Sequence, residues 1–179
     1  MGSCNIINEY PLGECYTSSG GLAKIYIANK ANVVQILPTL DGTDDEGLIT
    51  GITMASGTTY FDYSPIKFTA NYVQNGQENE YGAAGYEVIL TIPFSRNEAE
   101  ARNAIKIMKG SDLSVIVKDV NGKYFLLGES YGLRLVATYE SGTLLIDHNR
   151  WSLTLKGMER HEAREVDPDI VAALIYDAS

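Results

Sequence analysis

Ser130 lies in Gly128-Glu129-Ser130-Tyr131-Gly132, which matches the pattern G-x-S-x-G letter for letter. That pattern exposes a nucleophile only where a strand turns sharply into a helix. Here both flanks are strand-like, Lys123–Leu127 before and Leu133–Tyr139 after. Ser130 therefore reads as a polar residue at a strand bend. A base would have to come from His148 or His161, the two histidines of the chain. His148 falls in the turn Asp147-His148-Asn149-Arg150, and Asp147 and His148, as neighbours, would point to opposite faces of a strand. His161-Glu162 is followed by Ala163, Arg164 and Glu165, so the H-E-x-x-H zinc pattern is not formed. Both histidines read as solvated. The segment Leu40–Leu48 carries four acids, but counted from Asp41 its third, sixth and twelfth residues are Thr43, Glu46 and Ile52. A calcium loop needs an oxygen ligand, a glycine and a glutamate there, so the segment reads as an acidic loop. Cys4 and Cys15 have no metal motif around them and read as free thiols, with a small disulfide loop as the alternative. There is no P-loop and no G-x-G-x-x-G. A pair of catalytic carboxylates needs only proximity in space, and nothing in the sequence marks one. The expectation is a protein that is not an enzyme, with no catalytic, cofactor-binding or metal-binding residues.

Charge narrows the partners. Fourteen Lys and Arg stand against 23 Asp and Glu, a net charge of −9. Gripping phosphates needs clustered basic side chains, so nucleic-acid binding is disfavoured. A surface that nucleic acid slides past is compatible with this charge. No basic run suits a membrane surface, and no apolar run approaches the ~20 residues of a membrane span. The first residues lack the basic and apolar regions of a secretion signal, so a soluble protein made in a cytoplasm is expected. At 179 residues the chain is the size of one domain with its own core. Twelve tyrosines and 17 glycines lean toward strands joined by tight turns.

The elements follow from periodicity. Residues 1–20 read as an N-terminal arm. Leu22–Ala28 alternates as a strand, and Val33–Leu37 is a second apolar stretch ending at Pro38. Ile66–Val73 alternates and meets Asn75-Gly76, a turn signal. Tyr86–Ile92 alternates again and is expected to stop at Pro93. The polar stretch between these two strands is expected to be a protruding loop or an extended hairpin. Ser95-Arg96-Asn97-Glu98 is a capping box, followed by Ala101, Ala104, Ile105 and Met108 on one helical face. Gly110 fits the C′ position, so a helix over about 95–109 is expected. Leu113–Val120 and Lys123–Leu127 form a hairpin about Asn121-Gly122. Further strands are expected at Leu133–Tyr139, Leu144–Ile146 and Trp151–Lys156. Residues 158–179 read as a C-terminal extension. Its charged part is broken at Asp167-Pro168-Asp169, and its short apolar end packs either on another subunit or over its own core. The fold class expected is α+β, mainly antiparallel β: a two-sheet β-sandwich or barrel with one flanking α-helix. Tyr60, Phe61 and Tyr63 suit either an interface or the core.

The stretch from Lys106 to Glu159, with its Gly110-Ser111-Asp112 turn, Asn-Gly hairpin and closing strand ending in Lys156-Gly157, resembles the tail tube proteins of tailed bacteriophages. These share a fold with the tube of type VI secretion systems. Gly20–Val33 also looks like small virion proteins of phages of gut bacteria. The resemblance covers roughly Gly21–Glu159. It implies a virion structural protein of the tail, a homo-oligomer whose self-assembly gives stacked rings, commonly hexamers, around a channel for DNA. The expected partners are further copies of the chain and neighbouring tail proteins, with DNA passing unbound and no membrane. The acidity suits a channel wall that repels DNA. On this reading two loops, Asp41–Gly47 and Asn75–Gly85, are the candidates for contacts between subunits. Their candidate residues are Asp41, Asp44, Asp45, Glu46, Asn75, Gln77, Glu78, Glu80 and Tyr81. The alternatives are a tail terminator or adaptor of the same fold, or a monomeric sandwich that binds carbohydrate or peptide. A hydrolase using Ser130 or His148 comes last.

Overall fold

The computed structural model describes residues 20–38, 47–63, 65, 69–78, 84–94, 99–143 and 150–176. Along the chain run β1 (Leu22–Asn29), β2 (Val33–Pro38), β3 (Ile49–Met54), β4 (Phe61–Asp62), β5 (Asn71–Glu78) and β6 (Ala84–Phe94). Helix α1 (Ala99–Met108) follows, then β7 (Leu113–Asp119), β8 (Tyr124–Leu127), β9 (Arg134–Glu140) and β10 (Arg150–Glu159). Strand β11 (Arg164–Val166) and helix α2 (Pro168–Leu174) complete the set. The strands form a seven-stranded sheet in the order β2-β3-β11-β8-β7-β1-β4 and a four-stranded sheet in the order β5-β6-β10-β9. All pairs are antiparallel except β11 with β3. The expected α+β two-sheet sandwich is what forms, without a closed barrel.

Alternation decides which side chains enter the space between the sheets. Ile25 and Ile27 of β1, Val115 and Val117 of β7, Val88, Leu90 and Ile92 of β6, and Leu153 and Leu155 of β10 fill it. Each large aliphatic side chain removed from water contributes about 1.5–3 kcal/mol. Helix α1 closes one opening of this core with Ile105 and Met108, the face expected from its i, i+3, i+4 spacing. The capping box at 95–98 lies outside the described residues. The far end of α1 does not use Gly110 as a left-handed cap. Instead the Gly110 N–H donates to Ile107 O at 3.3 Å and the Ser111 N–H to Met108 O at 3.2 Å, a tightening into i→i+3 turns.

The larger sheet is buried on both faces. Along β1 the run Ile25–Ala28 has no exposed residue, with Tyr26 and Ala28 facing a second core away from the smaller sheet. This second core gathers Ile49, Tyr60, Ile116, Leu126 and Val166 beneath Val171 and Leu174 of α2. The sheet curls to enclose it. In a flat sheet β1 and β2 would lie five strand spacings apart, about 24 Å, whereas the four Cα steps from Asn29 to Val33 span at most about 14 Å. Strands β1 and β2 are thus two parts of one bent strand, broken by the 3-10 turn Lys30–Asn32. Asn29 caps this turn by accepting from the Ala31 N–H at 3.0 Å.

Three expectations need correction. Asn75-Gly76 is not a turn but part of β5, opposite Glu87 and Tyr86. The alternation of β6 continues back to Ala84, and pairing carries β5 past the Asn-Gly signal to Glu78. The alternative expectation, an extended hairpin, describes the result. Pro93 does not end β6; it sits opposite Ser152 of β10. Strand β5 begins at Asn71 opposite Thr91, so Pro93 has a neighbouring strand on one side only, the edge-like setting that tolerates proline. Asp167-Pro168-Asp169 does not break the chain but starts α2. Asp167 Oδ1 accepts from the Asp169 N–H at 2.9 Å, and Pro168 occupies the first helical position, where its missing N–H costs nothing.

Candidate assembly surface

A sheet edge presents unpaired N–H and C=O groups, and proteins blunt such edges with charges, prolines, bulges or shortness. Among the described residues, three of the four edges are blunted. Strand β4 has two residues. Strand β2 has two breaks in register and ends at Pro38. Strand β9 has charges at both ends, with Arg134 paired to Asp112 at 2.8 Å and Glu140 to Arg150 at 3.4 Å. Strand β5 differs. Its eight residues, Asn71–Glu78, hold an unbroken register against β6 and contain no lysine, no proline and a single charge, Glu78.

Burial along β5 falls in two halves. From Asn71 to Gln74 one face is half-buried and the other exposed, with Val73 43% exposed. From Asn75 to Glu78 both faces of β5 are exposed, while Gly85–Glu87 of β6 behind it stay half-buried and Tyr86 and Glu87 remain paired with β10. Asn75, Gln77 and Glu78, three of the candidate contact residues, come together on this exposed edge. Asp41, Asp44, Asp45, Glu46, Glu80 and Tyr81 lie outside the described residues. Reading turn chemistry alone missed Val73 and the rest of the edge. The signal was available: Gln74-Asn75-Gly76-Gln77 holds no charge between two alternating runs.

A polar closure holds the root of this hairpin. The bend Gly128–Gly132 joins β8 to β9 and crosses from one sheet to the other. Gly128 and Gly132 have φ of 76° and 79°, and a Cβ on Gly128 would fall 2.5 Å from the Leu113 carbonyl oxygen. Only glycine fits so close an approach at positive φ. The two glycines of the G-x-S-x-G match are therefore explained by packing. Glu159 Oε2 accepts from the Ser130 N–H at 2.7 Å. Arg164 holds Glu129 with two N–H groups, Nε to Oε2 at 2.9 Å and a second to Oε1. Partial burial of Arg164 opposes its charge and lowers its pKa, and Glu129 supplies the compensating charge. Ser130 Oγ accepts from the Arg160 N–H at 3.5 Å and bonds to no histidine among the described residues. His161 is exposed. Cys4, Cys15 and His148 lie outside the described residues. Among the described residues no group of three or more His, Cys, Asp or Glu is placed to hold a metal ion, and no helix is long and apolar enough to cross a membrane.

Beside α1 lies an apolar groove of about 230 Å³, lined by Ile27, Phe61, Tyr63, Ile107, Met108 and Leu113 among others. Phe61 and Ile107 are exposed at its rim, and Phe61 stacks at 5.4 Å on Tyr176. The aromatic cluster of the sequence is thus divided: Tyr60 is fully buried, Tyr63 half-buried and Phe61 exposed. Tyr60 shares a 2.9 Å hydrogen bond with Ser114, and burial pushes its phenol up to about 12, offset in part by that bond. No family model matches the chain, and no curated protein or solved structure matches it significantly.

Proposed function

We propose that this chain is a self-assembling structural subunit, a virion component of the tail-tube kind that its sequence resembles. In this reading copies join into rings stacked around a channel that DNA traverses without specific binding. The observation that carries the self-assembly is the β5 edge: eight regular residues, one charge, and an outer half exposed on both faces. Backbone groups on such an edge form hydrogen bonds with a strand of a neighbouring copy, as in β-strand addition. Val73 adds an exposed apolar contact. The net charge of −9 suits a surface that repels DNA.

The test is the mass of the purified protein by light scattering, together with negative-stain microscopy. Rings or tubes are expected, and Val73→Lys, which charges the edge without touching the core, should return the protein to monomers that unfold as before. A strict monomer at high concentration, with no rings or polymers, refutes the proposal. The groove beside α1 favours a second reading, a monomeric module that binds an apolar group of a ligand or peptide. That reading expects a monomer whose binding is lost in Ile107→Glu and kept in Val73→Lys.

A further inference from the structure

We infer that Gln74 and Glu159 share one internal water molecule, which fastens the root of the β5–β6 hairpin to the bend Gly128–Gly132. Glu159 is only 6% exposed. One of its oxygens is occupied by the Ser130 N–H, while Oε1 is buried with no hydrogen-bond partner. Gln74 Nε2 is likewise buried with no partner. The two atoms are complementary, because a carboxylate oxygen accepts and an amide nitrogen donates. Register brings them to one place. Gln74 pairs with Val88 and Val88 with Gly157, two rows away from the pairing of Tyr86 with Glu159. Gln74 and Glu159 thus lie on the same inward face, two strands apart and two residues out of step. Both line a cavity of about 10 Å³, together with Leu126, Leu127 and His161 among others. That is about the space one water molecule occupies. A water placed there donates to Glu159 Oε1 and accepts from Gln74 Nε2. Its second hydrogen has Glu129 or Glu162, which also line the cavity, as an acceptor. A metal cation fits less well, since the Gln74 N–H groups would point at it.

The consequence is mechanical. Gln74 is the last half-buried residue of β5 before the strand becomes exposed on both faces, so the water ties β5 at that point to Glu159 and, through Ser130, to the bend. The inference does not rest on self-assembly and stands or falls separately from it, since its readout is a water position and not a mass. A crystal structure of the whole chain, at a resolution that shows ordered water, is expected to place one water within hydrogen-bonding distance of both Gln74 Nε2 and Glu159 Oε1. Direct contact between the two side chains, an empty cavity, or either side chain turned to solvent overturns the inference. Hydrogen exchange at the amides that pair across the hairpin gives a second readout. Gln74→Leu and Glu159→Leu should each speed exchange several-fold, and the double variant should exchange no faster than the faster single one, because both remove the same link. Effects that multiply in the double variant would show that the two groups act separately and would also overturn it.

Discussion

The two helices each bury two side chains and do different work. Helix α1 buries Ile105 and Met108, and α2 buries Val171 and Leu174. The first lies over one opening of the sandwich, and Ile107 on its outer side remains exposed beside the groove. The second is sewn into the larger sheet. The Asp167 N–H donates to Ile49 O at 3.0 Å, the Tyr60 N–H to Leu174 O at 2.9 Å, and the Tyr176 N–H to Tyr60 O at 2.8 Å. A ten-residue amphipathic helix is here a cover, while a seven-residue helix is a structural tie. Length and amphipathicity therefore do not rank the two by importance.

That contrast can be broken most severely by ending the chain at Val166. Without α2, Ile49, Tyr60, Ile116 and Leu126 lose the layer above them, and the cooperative unfolding transition seen by calorimetry should disappear. Single truncations sharpen it. Ile105→Ala and Leu174→Ala should each cost about 2–4 kcal/mol in chemical denaturation, with Leu174→Ala the larger because its neighbours are held by backbone bonds and relax less into the cavity. Next comes alkaline pH. Tyr60 has a raised folded pKa, so its contribution is fully present below the unfolded value near 10 and is lost as pH rises toward about 12. Two units correspond to roughly 2–3 kcal/mol, and Tyr60→Phe should flatten that limb of the stability–pH curve. Tyr26, Tyr63 and Tyr72 are shifted up by burial as well and leave a smaller residual slope. Asp167→Ala removes the cap of α2 and should cost about 1 kcal/mol. The smallest effect is expected at Ile107→Glu on the outer side of α1, within about 0.5 kcal/mol in the same assay.

The sequence disclosed α1 and concealed α2 for a physical reason. The i, i+3, i+4 spacing of Ala101, Ala104, Ile105 and Met108 makes a long apolar stripe, whereas α2 is two turns long and its apolar residues Ile170, Val171 and Leu174 follow a highly charged run. Its start signal, Asp before Pro, is equally a turn signal, and only the tertiary setting chooses between them. The strands followed the same rule. The alternation of β1, β6, β7, β9 and β10 was legible because one face of each meets the inter-sheet core. Strand β11 was not, since Arg164 and Glu165 give no apolar period and only Val166 is buried. The candidate surface was half legible. Asn75, Gln77 and Glu78 were picked out as a loop, but their role as an edge depends on which strands lie beside them, and pairing is a long-range property. Glu159 and Gln74 were invisible as a pair, being 85 residues apart and joined only by register.

The place of β11 sets an order of events during synthesis. It lies third in the larger sheet, between β3 and β8, although among the described residues only α2 follows it. Before residues 164–166 leave the ribosome, the strands of that sheet can pair only as two ladders, β2-β3 and β8-β7-β1-β4, joined through the bent strand of β1 and β2. The smaller sheet has no such dependence, because all four of its strands precede β11 in the chain. Its neighbours can therefore pair while the larger sheet is still open. Pairing over so many residues carries a large loop-closure cost, so the joining of the two ladders is expected to come late in folding. Half of the sandwich waits for a strand of three residues, as an arch waits for its keystone.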